Sequence, residues 1–224
     1  EDALAAAARS GRRVGAVVPV HVAGRACHME AITAIAARHG VPVVEDSAHA
    51  FPVVHRGRLL GTWADAGVYS LYATKAITTG EGGVVVTRRD EVARRVRLMR
   101  LHGIDRDVWN RYTDAGASWR YDVVEAGYKY NLTDLAAAIG IAQLARAGEF
   151  LERRRAVARA YLAGLAGCDF LDLPDDVDDH GWHLFIVRLR PGRLAIDRDR
   201  FVAELSARGI GTSVHFIPLH LMSY

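Results

Sequence analysis

Cysteine is scarce: Cys27 and Cys168 stand far apart in 224 residues, with no CxxC pair and no Cys/His metal spacing, which excludes a disulfide scaffold. Thiols this few read as reduced, and the expected compartment is the cytoplasm. Long apolar runs are missing too. No stretch reaches eighteen apolar residues, so no membrane span is expected, and the chain shows no signal-peptide pattern. No GxGxxG follows a strand, no GxxxxGK[ST] occurs and no GxSxG elbow surrounds any serine, which sets aside dinucleotide, P-loop and serine-hydrolase chemistry. His180-x-x-His183 lacks a third ligand at a familiar spacing and is set aside as a metal site. The charge excess is small, +3 from 29 basic and 26 acidic residues. Arg94, Arg95, Arg97 and Arg100, and Arg153 to Arg155, fall on predicted helices with Glu91, Glu149 and Glu152 close by, and no aromatics are interleaved. Solvated helix faces are expected rather than a nucleic-acid surface.

What is present is a core-forming composition, 50% hydrophobic and 25% charged. Ala16–Val20 reads as a buried strand, Met29–Arg38 as a helix with Ile32, Ile35 and Ala36 on one face, and Val41–Glu45 as a second strand, a βαβ unit stopped by His39-Gly40. Further strands are expected at Gly67–Tyr72 and Gly83–Thr87, then a helix from Asp90 to about Leu101. From His102 to Tyr128 periodicity disappears, and Trp109, Tyr112, Trp119 and Tyr121 lie in an irregular loop. A single long helix is expected from Thr133, as cap, to about Leu165. Six aspartates in Asp169–Asp179 mark a boundary between a large domain, residues 1–167, and part of a small α+β domain, residues 168–224. In the latter a strand is expected at Trp182–Leu189, a helix at Asp197–Arg208 and a strand at Gly211–Phe216. The chain begins at Glu1 inside an Ala-rich helical pattern and stops at Tyr224 after an apolar run, which reads as truncation at both ends.

Between Asp65 and Glu81 every residue is uncharged except Lys75. A lysine among apolar and small hydroxyl residues is either a snorkelling strand-end side chain or an amine able to form a Schiff base. Asp46 follows Val43-Val44-Glu45 at the carboxyl end of a predicted parallel strand, where open α/β sheets bind ligands; its alternative is a cap on the next turn. His49 shares that turn. A lysine for a carbonyl and a carboxylate for a ring nitrogen suit pyridoxal 5′-phosphate (PLP), with Ser70, Thr74 and Thr78-Thr79-Gly80 available for its phosphate.

Five runs, PVHVAG (19–24), VVEDSAHA (43–50), YSLYATKAITTGEGG (69–83), GYKYNLTDLAAAIG (127–140) and HFIPLH (215–220), occur in the order found in the DegT/DnrJ/EryC1/StrS family of sugar aminotransferases, which the chain resembles over most of its length. The resemblance implies a fold-type-I PLP enzyme: a mainly parallel sheet with helices on both faces, plus a smaller domain. It implies Lys75 as the Schiff-base lysine, Asp46 as partner of the pyridine nitrogen, His49 at the ring hydroxyl and Ser70 at the phosphate. Asn131 would reach the phosphate of the neighbouring subunit's cofactor, so that a homodimer completes each site. Lys129 and Tyr130 would lie near that shared site, and His215 and His220 near the sugar. The implied partners are a nucleotide-linked keto sugar, with a 4-keto group favoured, and an amino donor, glutamate; the pathways are those of amino sugars in cell-surface polysaccharide or lipopolysaccharide. Dehydratases of the same fold carry histidine at the lysine position, so Lys75 favours transamination. Two alternatives stand beside it: a dehydratase, and an incomplete fragment with a regulatory or binding role. The latter follows from the absence here of the family's N-terminal phosphate cup and ring-stacking aromatic.

Overall fold

The structure is a computed structural model and describes residues 1–105 and 121–223. After helix α1 (Asp2–Arg9), the first part follows from one helix and the strands beside it. Helix α2 (Met29–Arg38) turns Met29 and Ala36 into the interior. It stops where expected: Gly40 takes φ 63°, a left-handed conformation open to glycine, and lets Val41 N–H bond Ala36 O (3.0 Å) while Gly40 N–H bonds Ala37 O (3.1 Å). The chain then enters β1 (Val44–Asp46), which pairs in parallel with β4 (Ala66–Ser70), Val44 opposite Ala66 and Asp46 opposite Val68. On the far side of β4 lies β5 (Gly83–Thr87), antiparallel, with Ser70 opposite Gly83.

The expected strand at 16–20 appears as two parallel bridges, Val17 with Val43 and Val20 with Asp46. Proline explains its discontinuity, since Pro19 and Pro42 offer carbonyls to the ladder, to Asp46 N–H and Val17 N–H, but no N–H of their own. A hairpin that the sequence does not announce joins β2 (Val54–His55) to β3 (Arg58–Leu59) through Arg56 and Gly57, both at positive φ (47° and 78°). Met29, Ala50, Val53 and Leu60 form one buried cluster, with Ile32 and Trp63 against it; Leu71, Ile77 and Ala147 form another, with Phe51 and Phe150.

Helix α3 (Asp90–Met99) follows β5. Trp109, Tyr112 and Trp119 of the expected irregular loop lie outside the described residues; its described ends pair Leu101 with Lys129 and Ile104 with Val123. The expected long helix is two, α4 (Asp134–Ala145) and α5 (Ala147–Leu165), because Arg146 leaves helical geometry at φ −106°, ψ 3°. Thr133 does cap α4, its hydroxyl accepting Ala136 N–H at 3.2 Å.

The chain divides into two compact units, residues 1–160 with 176–185, and residues 161–175 with 186–224. The second holds the end of α5, the short antiparallel pair β6 (Leu171–Asp172) and β7 (Arg188–Leu189), and α6 (Arg198–Ala207). Arg190 bonds Asp172 at 2.7 Å, and Asp197 caps α6 by accepting Arg200 N–H at 2.8 Å. Of the strand expected at 182–189 only Arg188 and Leu189 pair, because Gly181 and His183 spend their N–H groups on residues 23–24. Residues 211–216 find no partner strand among the described residues and form no regular element.

Candidate active site

Parallel pairing sends the carboxyl ends of β1 and β4 to one edge of the sheet, and the antiparallel β5 starts there. That edge therefore collects Asp46 and His49 from the end of β1, Ser70 from the end of β4, and the loop that carries Lys75 between β4 and β5. The loop is held at both ends. Leu71 N–H bonds Gly82 O (2.9 Å), Thr79 N–H bonds Leu71 O (3.0 Å), Thr78 Oγ1 donates to Leu71 O (3.1 Å), and Leu71 and Ile77 are buried beneath it. Lys75 sits half-buried at its crown; its own N–H closes a turn onto Tyr72 O, and among the described residues no carboxylate pairs with its amine.

Asp46 does cap the turn that follows, Oδ1 accepting Ala48 N–H at 3.1 Å, and this leaves Oδ2 without a partner among the described residues. Ser70 Oγ accepts Tyr72 N–H at 3.3 Å, and Thr78 Oγ1 accepts Gly80 N–H at 2.9 Å.

Beneath Asp46 is a residue that sequence reasoning passed over. Glu45 is wholly buried and meets only donors: His21 Nε2 (3.2 Å) and Gly61 N–H (2.7 Å) on Oε2, Trp63 N–H (2.6 Å) and Ala64 N–H (2.9 Å) on Oε1. Burial pushes this carboxyl up, but His21 and the three backbone N–H groups outweigh it and hold it below its usual range. The imidazole of His21, itself wholly buried, accepts Cys27 N–H at Nδ1 (3.1 Å), so its proton sits on Nε2 toward Glu45. A charged residue directly after the apolar pair Val43-Val44, still on the strand, was the available signal.

His49 accepts Ala23 N–H at Nδ1 (3.2 Å) and packs its ring against His183, centroids 4.3 Å apart and tilted 36°. His180 and His183, spaced like metal ligands, have other work. His180 accepts Trp182 N–H (2.8 Å) and stacks on that indole at 4.0 Å. Among the described residues no three metal-ligating side chains converge.

Lys129 and Asn131 hydrogen-bond each other, Nζ to Oδ1, and Tyr128 and Tyr130 stack at 4.8 Å; all but Asn131 are exposed. Tyr130 and Asn131 line a cleft of about 490 Å³ together with Thr79, Glu81 and Gly83, so Asn131 stands beside the start of β5. His215 and His220 belong to the second unit, where both are exposed.

A lysine with no carboxylate partner among the described residues, a carboxylate with one oxygen to spare among them, and a cluster of hydroxyl and N–H groups, all on one sheet edge, match the donor set of a PLP enzyme. Residues 2–224 match the DegT/DnrJ/EryC1/StrS aminotransferase family. The chain belongs to this family. It is 41% identical over 215 residues to the spore coat polysaccharide biosynthesis protein SpsC of Bacillus subtilis, covering 95% of this chain and 55% of SpsC. Its fold superposes on the aminotransferase TlmJ of Streptoalloteichus hindustanus with a TM-score of 0.82 and 34% identity, over 94% of this chain and 55% of TlmJ. A Streptococcus pneumoniae protein assigned as a sugar aminotransferase, solved in PLP and PMP forms, superposes with TM-scores of 0.81 and 0.83 at 27% and 28% identity, over 93% of this chain and 56% and 57% of that protein. The chain thus spans about half the length of the curated relatives it matches. The family is PLP-dependent, and the α/β fold is that of fold-type-I enzymes.

Proposed function

We propose that the protein carrying this chain is a PLP-dependent aminotransferase that moves an amino group from glutamate to a nucleotide-linked keto sugar, a 4-keto sugar by preference, in the cytoplasm. The observation that carries this reading is the gathering of Lys75, Asp46, His49 and Ser70 at one sheet edge. Bound PLP supplies the electron sink through which an amino group can pass from donor to carbonyl. Asp46 Oδ2 would accept the pyridine N–H and keep the ring protonated, and His49 would bond the ring oxygen. Ser70 Oγ and the Thr78–Gly80 turn would hold the phosphate. Lys75 Nζ would bind the cofactor and then carry a proton between the two carbons that exchange it. A homodimer would complete each site through Asn131. Leu135, Ile139, Ile141 and Leu144, all more than half exposed on α4 just after Asn131, support an apolar surface to be covered there. We assign residues 1–167 to the large domain and 168–224 to the small one, with His215 and His220 toward the sugar and Lys129 and Tyr130 near the shared site.

The test is to load the intact protein with PLP, fix the adduct with borohydride and map it. Labelling of Lys75 is expected; a protein that binds PLP but is labelled elsewhere, or not at all, refutes the site. Assays with 4-keto and 3-keto nucleotide sugars and glutamate then decide the substrate. Mixed dimers of Lys75→Ala and Asn131→Ala chains should recover part of the activity that each variant alone lacks.

A further inference from the structure

Residues 176–185 leave the second unit, return to the first and zip against the turn at residues 22–26. Ala26 N–H bonds Asp179 O (3.2 Å), Gly181 N–H bonds Gly24 O (2.8 Å) and His183 N–H bonds Ala23 O (2.9 Å). The approach is close: a Cβ on Gly24 would stand 2.8 Å from His49 O and 3.0 Å from Gly181 Cα. Each segment also contains a non-glycine residue at positive φ, Ala23 at 60° and Trp182 at 47°. Such conformations persist only where surrounding contacts impose them. The two segments meet His49 from two directions, Ala23 N–H at Nδ1 and the His183 ring at its face.

We propose that His183 is a positioning residue that orients His49 for the cofactor. This deepens the PLP reading above and rests on it for the role of His49. The Ala23 N–H makes Nδ1 an acceptor, so the neutral ring carries its proton on Nε2 and presents a donor there, the polarity needed toward a ring oxygen. A planar wall at 4.3 Å limits rotation of the imidazole about its Cβ–Cγ bond, so that hydrogen bond is not exchanged for its flipped alternative. His183 reaches this position because its backbone is tied to the same residue, Ala23, that supplies the N–H to His49. Contact and tautomer are therefore fixed by one interlocked pair of segments.

The test uses the intact protein, with His183→Ala to remove the wall and His183→Phe to keep a flat ring without nitrogens. Imidazole ¹⁵N spectra, with His49 assigned by its loss in His49→Ala, should show Nε2 protonated in the parent and in His183→Phe. In His183→Ala the two nitrogen shifts should move toward each other as the ring samples both orientations. PLP affinity should fall about tenfold in His183→Ala, equivalent to about 1.4 kcal/mol, and return to within twofold in His183→Phe. Unmoved His49 shifts in His183→Ala overturn the proposal, even if both variants melt at lower temperature, since a purely structural wall would do only that. Shifts that move equally in His183→Phe also overturn it. If the shifts behave as expected but His49→Ala binds PLP as the parent does, the orientation stands and the cofactor role of His49 is what fails.

Discussion

Glutamine differs from glutamate by one NH₂ group in place of an oxygen, yet Glu45→Gln is expected to be among the most damaging conservative changes in this chain. Both oxygens of Glu45 accept two hydrogen bonds each, from His21 and Gly61 on one side and from Trp63 and Ala64 on the other. Whichever way the glutamine amide turns, its NH₂ faces two donors that then have no acceptor. Each orphaned buried N–H costs about 1–3 kcal/mol, so the loss should be about 4 kcal/mol, a large part of the 5–15 kcal/mol typical of a folded domain. Urea unfolding should show a lower midpoint at unchanged m-value. The effect should also reach the site, because Asp46 is the next residue: PLP affinity should fall although Glu45 would touch no cofactor atom. A change below about 1 kcal/mol would refute the reasoning, since it would mean that water or a shifted backbone replaces the carboxylate without difficulty. The sign of the pH dependence is fixed as well. The folded carboxyl lies below the 4.5 of the unfolded chain, so its contribution is complete above that value and is lost as pH falls through the lower folded value.

Other outcomes follow from the same geometry. Lys75→Ala should abolish the borohydride-trapped adduct and lower turnover at least about a thousandfold, while urea stability changes by under about 0.5 kcal/mol because the amine has no carboxylate partner among the described residues to lose. His180 is pushed down to about 4 by burial and then by Arg25, against 6.5 in the unfolded chain. The unfolded state therefore takes the proton first, and stability should drop by about 2 kcal/mol between pH 8 and pH 5 on this account. An NMR titration should find His180 neutral at pH 5; a midpoint near 6.5 would contradict this. Gly24→Ala should lose about 3 kcal/mol or more, through φ 96° and the clash with His49 O and Gly181, as read by thermal or urea unfolding. Thr133→Ala removes the cap on Ala136 N–H and should cost about 1 kcal/mol.

Elements whose signals are local were legible from the residues alone. Helix α2 and strand β5 occupy the spans their patterns predict, because an apolar face with a His-Gly stop and a short apolar run after glycines need no distant information. Strand β1 is displaced toward its carboxyl end because Pro42 has no N–H to give the ladder. The β2–β3 hairpin escaped because Arg56 occupies the first positive-φ position, where asparagine or aspartate would have been the signal. In the site, Lys75 and Asp46 stood out by contrast with uncharged or apolar neighbours. His183 could not, since its partner His49 is far away in sequence, and the contact exists only once residues 176–185 have folded back.

That fold-back has a consequence for vectorial synthesis. A ribosome delivers residues 1–160 well before 176–185, yet the carbonyls of Ala23 and Gly24 find their donors, His183 N–H and Gly181 N–H, only in the later stretch. Until the chain has passed through residues that belong to its neighbour, the turn around Ala23 is braced only from its own side, by Ala23 N–H on His49 and Gly24 N–H on His21 O. A product ended at residue 160 would keep Lys75, Asp46, Ser70 and the Ala23 N–H on His49, and would still lack the His183 ring packed against that imidazole. The candidate site's sheet edge is thus finished from the downstream end of the chain, and the two units cannot mature in simple succession.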